Sequence, residues 1–140
     1  MEGAGEMNQF PLRIVTPDGL VYDGNAEELI VRTTTGDLGI LAGHINCVAP
    51  IGMGKATIMI DGKKRYGACI GGMVSVMDGK TTLLATTFEW ADEIDVARAD
   101  RSEERARAVL ADNKSTDTEI RLAQARLKRA LVRKGVVLGK

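Results

Sequence analysis

The chain has 140 residues, of which 44% are hydrophobic and 27% charged, a composition that excludes wholesale disorder and fits one compact domain with a small appendage. Nineteen basic side chains balance nineteen acidic ones, which excludes a generic nucleic-acid binder. The balance is uneven along the chain: residues 1–90 carry 7 basic and 10 acidic side chains, residues 91–140 carry 12 and 9, and residues 120–140 hold seven basic groups and no acidic side chain. That tail is suited to an acidic surface or an anion.

The opening MEGAGEMNQF lacks a basic region followed by an apolar core, so no secretory signal is expected. No role can be assigned to residues 1–8. No window approaches the ~18 apolar residues of a membrane span, so any membrane association is expected to run through partners. From residue 10 to residue 88 the chain reads as short strands separated by turn residues. Leu12-Arg13-Ile14-Val15 leads into Thr16-Pro17-Asp18-Gly19, where Pro presets φ and Gly supplies positive φ. Leu20-Val21-Tyr22 ends at Asp23-Gly24, and Glu28-Leu29-Ile30-Val31-Arg32 runs into three threonines. Ala56-Thr57-Ile58-Met59-Ile60, Arg65-Tyr66-Gly67-Ala68-Cys69-Ile70, Met73-Val74-Ser75-Val76 and Thr82-Leu83-Leu84-Ala85-Thr86 follow. Between them lie Asp61-Gly62, Gly71-Gly72 and Asp78-Gly79. This spacing predicts an antiparallel β-sandwich or barrel, with hairpins at both Asp-Gly pairs.

The pattern changes beyond Trp90. Residues 91–134 contain no Gly or Pro and are dominated by Ala, Arg, Glu and Leu, all strong helix formers. Asp92 is the expected N-cap of a first helix. Asp112-Asn113-Lys114-Ser115-Thr116 is the expected break, and Gly135 the expected end of a second helix. The predicted architecture is α+β: an antiparallel sandwich over residues 1–90, then a two-helix antiparallel hairpin over residues 91–140. Its facing seam is thin. Val96, Ala99, Ala106 and Leu110 share one face, interrupted by Glu103; Ala123, Leu127, Ala130 and Leu131 share the other. Alanine faces bury little area at ~25 cal/mol per Å², against an ordering cost of roughly 1–2 kcal/mol per residue. Such a hairpin is either a small, permanently packed cap or an element that opens and closes.

No catalytic or metal site is legible. Gly79-Lys80-Thr81 imitates the end of a phosphate-binding loop, but Val74 stands where the first glycine belongs and a strand follows in place of a helix. His44, the only histidine, has no nucleophile elbow beside it and reads as structural or interfacial. Cys47 and Cys69, without CxxC spacing, read as buried reduced thiols. Arg98 and Arg105 are seven apart on the first helix, while Arg129 and Arg133 are four apart on the second. If the helices fold back on each other these four could converge on a polyanion, because guanidinium forks suit phosphate oxygens. A solvated surface of ordinary ion pairs is the alternative.

Several runs together resemble the epsilon subunit of bacterial F-type ATP synthases over residues 10–134. They are Ile14-Val15-Thr16-Pro17-Asp18-Gly19 with Val21-Tyr22; Gly36-Asp37-Leu38-Gly39-Ile40-Leu41 with Gly43-His44; Gly71-Gly72; and Ile94-Asp95-Val96-Ala97-Arg98-Ala99. The resemblance implies a non-catalytic rotor subunit of a proton-translocating synthase, peripheral on the cytoplasmic face of the cell membrane. It implies partners in the gamma subunit, the c-ring and the beta subunit, with the turn bearing Asp37 and His44 facing the ring. It also implies a mobile hairpin that inhibits ATP hydrolysis when extended. Some members bind ATP as a regulatory ligand in the folded hairpin. By carry-over the ATP-binding residues are Glu89, Asp95, Arg98, Ala99, Arg105, Arg129 and Arg133, with Asp95 and Glu89 reading the nucleoside and the arginines holding phosphates. Charge-assisted bonds of ~1.5–3 kcal/mol each, offset by the cost of association, imply an affinity between about micromolar and millimolar. Trp90, bulky beside Glu89, is not anticipated by the resemblance. A stand-alone ATP-sensing module is the competing function.

Overall fold

The computed structural model describes residues 8–138, and the segment 1–7, to which no role is assigned, lies outside them. The chain divides after Trp90 into two units. The first contains eight strands: β1 (Phe10–Thr16), β2 (Gly19–Ala26), β3 (Glu28–Thr33), β4 (Gly36–Leu41), β5 (Cys47–Pro50), β6 (Met53–Ile60), β7 (Lys63–Met77) and β8 (Lys80–Trp90). They hydrogen-bond in the order β2-β1-β8-β7-β6-β3-β4, with β5 joined to β7 off this path. All pairs are antiparallel except β1 with β8. That parallel pair brings the first and last strands together, which the antiparallel expectation did not contain.

Local turn chemistry sets the hairpins. Asp61 and Gly62 have φ of 52° and 75°, and Asp78 and Gly79 have 50° and 80°. Two successive positive φ values make the hairpin turn whose twist matches that of the flanking strands. The β1–β2 and β3–β4 turns repeat one device. Thr16 Oγ1 accepts from Asp18 N at 3.2 Å and donates to Gly19 O at 3.4 Å. Thr33 Oγ1 accepts from Thr35 N at 3.2 Å and donates to Gly36 O at 2.6 Å. Two strands differ from expectation. β4 lies in Gly36-Asp37-Leu38-Gly39-Ile40-Leu41, where two glycines mask its strand character, and the four-residue β5 ends in Pro50.

β7 is one strand of 15 residues, not two separated by Gly71-Gly72. Its first half pairs with β6 and its second with β5. At the junction Gly71 and Gly72 have φ of 71° and 112°. There Gly71 N donates to Gly52 O at 3.0 Å and Ile51 N to Gly72 O at 2.9 Å. The core-facing residues change parity at this point. Gly67, Cys69, Phe88 and Trp90 are buried on one side of it, and Val74, Val76, Thr81, Leu83 and Ala85 on the other. Because side chains alternate with period two, a ribbon can change its buried parity only by turning over. The turned ribbon lets β7 and β8 line the whole core with Leu12, Ile14, Leu29, Val31, Ile40 and Ile58, each at most 1% exposed.

Trp90 closes one end of this core. Its ring stands edge-on to Phe88 at 5.0 Å and to Tyr22 at 6.3 Å, and the Arg65 guanidinium stacks on it at 3.7 Å. Cys69 is buried and Cys47 only half-buried, so the expectation of two buried thiols fails for Cys47. Burial pushes the Cys69 thiol up to about 12, which leaves it protonated and inert at neutral pH.

The second unit holds a 3₁₀ turn (Ala91–Glu93), α1 (Val96–Ala111) and α2 (Asp117–Val137). The α1 N-cap is Asp95, not Asp92, which lies in the 3₁₀ turn. Thr116 begins α2 with a full capping box: its hydroxyl accepts from Glu119 N, and the Glu119 carboxylate accepts from Thr116 N, both at 3.1 Å. Gly135 does not end α2, which continues to Val137. A helical glycine costs about 1 kcal/mol relative to alanine, less than the ~1.5–3 kcal/mol gained on burying a valine, and Val136 is 2% exposed.

A Cβ at Gly72 would lie 1.8 Å from Leu84 O, whereas one at Gly79 (φ 80°) meets nothing within 4 Å. Gly79→Ala therefore carries backbone strain alone and is expected to lower stability by about 1 kcal/mol. Gly72→Ala must also displace the neighbouring strand, with an expected loss of ~4 kcal/mol or failure to fold. Urea unfolding of the two variants checks the difference.

Candidate functional site

Within the helical unit, α1 and α2 meet through small residues. Ala99, Ala106, Ala123 and Ala130 are each at most 4% exposed, while Val96, Leu110 and Leu127 are half-buried. Leu131, predicted on the seam, is 45% exposed. One buried alanine methyl contributes only about 0.8 kcal/mol, so the seam is weak for its length. Glu103, the expected interruption, is instead the centre of an ion cluster. Lys134 Nζ lies 2.8 Å from Glu103 Oε1 and 2.8 Å from Asp100 Oδ1, and Arg107 Nε lies 2.8 Å from Glu103 Oε2. Lys134 thus ties the end of α2 to the first half of α1.

The predicted nucleotide residues are distributed as follows. Asp95 spends a carboxylate oxygen on its cap, accepting from Arg98 N at 3.0 Å. Ala99 is buried; the side chains of Arg98, Arg105 and Arg129 are exposed and Arg133 is half-buried. Glu89 is half-buried on β8, opposite Ala68 of β7. Arg105 lines a cleft of about 330 Å³ with Arg126, Glu119, Val109, Leu122 and Ala123. Arg126 was not among the predicted residues. Its signal was present in the acid-free stretch, but only the antiparallel offset of the helices shows that it shares a cleft with Arg105. Lys134 was missed for the same reason.

In the sandwich unit Asp37 lies in strand β4 and not in a turn, paired with Arg32 Nε of β3 at 2.9 Å. His44 is in the loop after β4, its Nδ1 donating to Ile45 O at 2.8 Å, with Cys47 Sγ at 3.9 Å. The loop is pinned by Asn46, whose Oδ1 accepts from Asp78 N at 2.8 Å. It presents Ile45, 77% exposed, close in sequence to exposed Leu41 and Val48. A second feature emerges from the register. Pro50, Met73, Leu84, Val15 and Leu20 are successive cross-strand partners on β5, β7, β8, β1 and β2. Directly opposed residues share a face, so these five form an unbroken apolar row on the outside of the sheet. Met73, Leu84 and Leu20 are 46%, 52% and 58% exposed, and Val15, Pro17, Leu84 and Thr86 border a shallow cleft along it. A contiguous apolar row, unlike scattered exposed leucines, marks an interaction surface.

Thr81, at the end of the rejected Gly-Lys-Thr run, points inward with its hydroxyl lacking a partner among the described residues. No group of three His, Cys, Asp or Glu that could hold a metal occurs among the described residues.

The Lys134 cluster gives the hairpin a definite pH window. Hydrogen bonds from Lys134, then from Arg107, hold the Glu103 carboxyl below its ordinary value of 4.5. Its stabilisation is complete above that value and is lost as pH falls through the lowered one. Bonds to Asp100, then to Glu103, raise Lys134 above 10.5; its stabilisation is complete below that value and lost as pH rises through the raised one. Circular dichroism at 222 nm on the chain should show helicity declining in acid and in alkali. Glu103→Gln should lose less than the parent on acidification, having less charge to neutralise.

Comparison with known proteins places these features in one family. Residues 9–91 match the family model described as ATP synthase, Delta/Epsilon chain, beta-sandwich domain, and residues 92–134 match ATP synthase, Delta/Epsilon chain, long alpha-helix domain. The chain is 45% identical over 128 residues to the ATP synthase epsilon chain of Ruminococcus albus, covering 91% of this chain and 95% of that one. It is 44% identical over 115 residues to that of Bacillus subtilis, covering 82% and 86%. Its fold is similar to a chain in the structure of the Euglena gracilis mitochondrial ATP synthase, with a TM-score of 0.81 at 22% identity, over 91% of this chain and 81% of that one. The family model's two domains meet within two residues of the point where the chain divides, and on this evidence the chain belongs to the ATP synthase delta/epsilon family, as a non-catalytic, epsilon-type chain.

Proposed function

We propose that this chain is the rotor subunit coupling the catalytic head of a proton-translocating ATP synthase to its membrane ring, with a hairpin that restrains ATP hydrolysis. The apolar row Pro50-Met73-Leu84-Val15-Leu20 carries the docking half of this reading. A strand-built unit with its own core of Leu, Ile and Val has no internal need for a second apolar face, and a partner subunit supplies the need. The gamma subunit is the partner assigned to that row. The pinned loop bearing His44 and Ile45, with Asp37 on the adjoining strand, is assigned to the c-ring. No helix among the described residues is long and apolar enough to cross a membrane; association with the cytoplasmic face is assigned to these partners.

The regulatory half rests on the weakness of the helical seam. Four alanines, three half-buried aliphatic side chains and one ion cluster hold α1 against α2, so separating them exposes only a modest apolar surface. Once separated, α2 offers Arg121, Arg126, Lys128, Arg129, Arg133 and Lys134 without an opposing carboxylate of its own beyond the first turn. That surface fits an acidic segment of the beta subunit. ATP, held by Arg98, Arg105, Arg129 and Arg133 with Asp95, would bind the closed hairpin alone. A ligand selective for one state stabilises it by RT ln(1 + [L]/Kd). Closure then tracks the ATP concentration, and nothing is hydrolysed.

Met73→Lys with Leu84→Glu, an opposite-charge pair across β7 and β8, should abolish co-purification with gamma while leaving the unfolding free energy within about 0.5 kcal/mol of the parent, since both side chains are exposed. Retained co-purification would remove the row from the interface. It would also leave room for a stand-alone nucleotide module. Deleting residues 91–140 should raise ATP hydrolysis by the assembled complex; unchanged hydrolysis would end the inhibitory role. Isothermal titration of the isolated chain with ATP should show binding weaker than about micromolar, reduced roughly tenfold or more in Arg98→Ala, the loss of one charge-assisted contact. Absence of heat at millimolar ATP would end the nucleotide role alone.

A further inference from the structure

The cluster around Lys134 contains the same chemistry as the partner that α2 is proposed to meet. In the closed hairpin Lys134 has two of its three N–H donors on carboxylates, those of Asp100 and Glu103, each at 2.8 Å. Its side chain is 28% exposed and that of Glu103 only 16%, so a carboxylate on another protein would have to compete with these two for the ammonium. Arg107 occupies the remaining Glu103 oxygen. The four charges sum to zero while the helices are together. When they part, Lys134 leaves with α2, and α1 keeps two carboxylates against one Arg107.

We infer that Asp100 and Glu103 are an internal decoy, occupying Lys134 in place of an acidic segment of a partner protein, so that hairpin closure and capture of α2 by that segment exclude each other. The inference rests on the inhibitory reading given above and adds its regulation. The decoy carboxylates withhold a cation from the partner while the hairpin is closed. The opposing sites are matched in kind, and closure needs only a small bias to prevail. A ligand that binds the closed state with modest affinity is then sufficient to decide the outcome.

Two charge-neutralising variants separate the decoy from a merely structural ion pair: Asp100→Asn with Glu103→Gln, and Lys134→Gln. In the isolated full chain, hydrogen exchange of α2 backbone amides should quicken about two- to fivefold in both, as for loss of a largely solvent-accessible ion pair. In the assembled complex the two should diverge. The Asp100/Glu103 variant frees Lys134 and should lower residual ATP hydrolysis about two- to fivefold, whereas Lys134→Gln opens the hairpin but lacks the competed cation and should not lower it. Unchanged exchange in both variants overturns the latch and leaves the inhibitory reading untouched. Equal effects of both variants on hydrolysis overturn the decoy, because Lys134 would then not be the contested group. If removal of residues 91–140 fails to change hydrolysis, the inhibitory reading itself falls, and the decoy falls with it whatever the exchange rates show.

Discussion

The close approach of the β7–β8 ribbon to itself at Gly71-Gly72 is the constraint from which the first unit is built. A strand presents one parity of side chains to one face, so a straight hairpin could line only one wall of a sandwich. Here the hairpin runs the length of the unit and must serve β6 at one end and β5 at the other. It does so by turning over, and only residues without Cβ tolerate the required φ values of 71° and 112° with a neighbouring carbonyl at the Gly72 Cα. Once the ribbon turns, Phe88 and Trp90 enter the core from one parity and Leu83 and Ala85 from the other. β1 can then lie parallel to β8, pairing with residues 81–84 in the first half of that last strand.

The two units are stabilised by different means. The sandwich buries branched aliphatic side chains to near-zero exposure and satisfies its turns with local hydroxyl and amide bonds. The helical unit buries mainly alanine methyl groups, and its long-range order owes much to charges that remain partly in water. Burial of large apolar groups is insensitive to salt, whereas partly exposed ion pairs weaken as ionic strength rises. The contrast gives rigidity to the part proposed to dock to partner subunits, and a weaker seam to the part proposed to change state. It also explains why one helix cap is spent on Asp95: an N-cap carboxylate fixes the first turn of α1 irrespective of whether α2 is beside it.

Residues proposed for nucleotide binding and those of the ion cluster are interleaved along the same helices. Arg98 and Arg105 flank Asp100 and Glu103 on α1, and Arg133 precedes Lys134 on α2. Phosphate held by the arginines would therefore sit amid the charges that decide closure. An added anion lowers the repulsion among guanidinium groups that closing the hairpin creates. Under the proposed function, ligand binding and helix closure would be coupled through this local electrostatic balance, with no contiguous pathway of side-chain motion required.

Much of this protein was legible in its sequence wherever the cause is local. Asp61-Gly62 and Asp78-Gly79 announce hairpins because two positive φ values are a property of those residues, and the Gly- and Pro-free stretch after Trp90 announces helices because helix propensity is summed residue by residue. The family was legible for a similar reason, since runs such as Gly36-Asp37-Leu38-Gly39-Ile40-Leu41 are contiguous. The same run hid strand β4, whose two glycines carry no strand preference and whose pairing with β3 supplies the order. Asp92 and Asp95 are equally good caps by composition; where the helix begins is decided by how its buried alanines face α2. Gly135 reads as a stop, and burial of Val136 overrides it. The apolar row depends on register across five strands, and the Lys134 cluster joins residues 31 and 34 positions apart. Sequence alone determined the two-part architecture, most of its elements and the family; tertiary structure decided the remaining strands, the helix ends and which side chains meet, because register, parity and helix offset are set by packing and leave no mark on neighbouring residues.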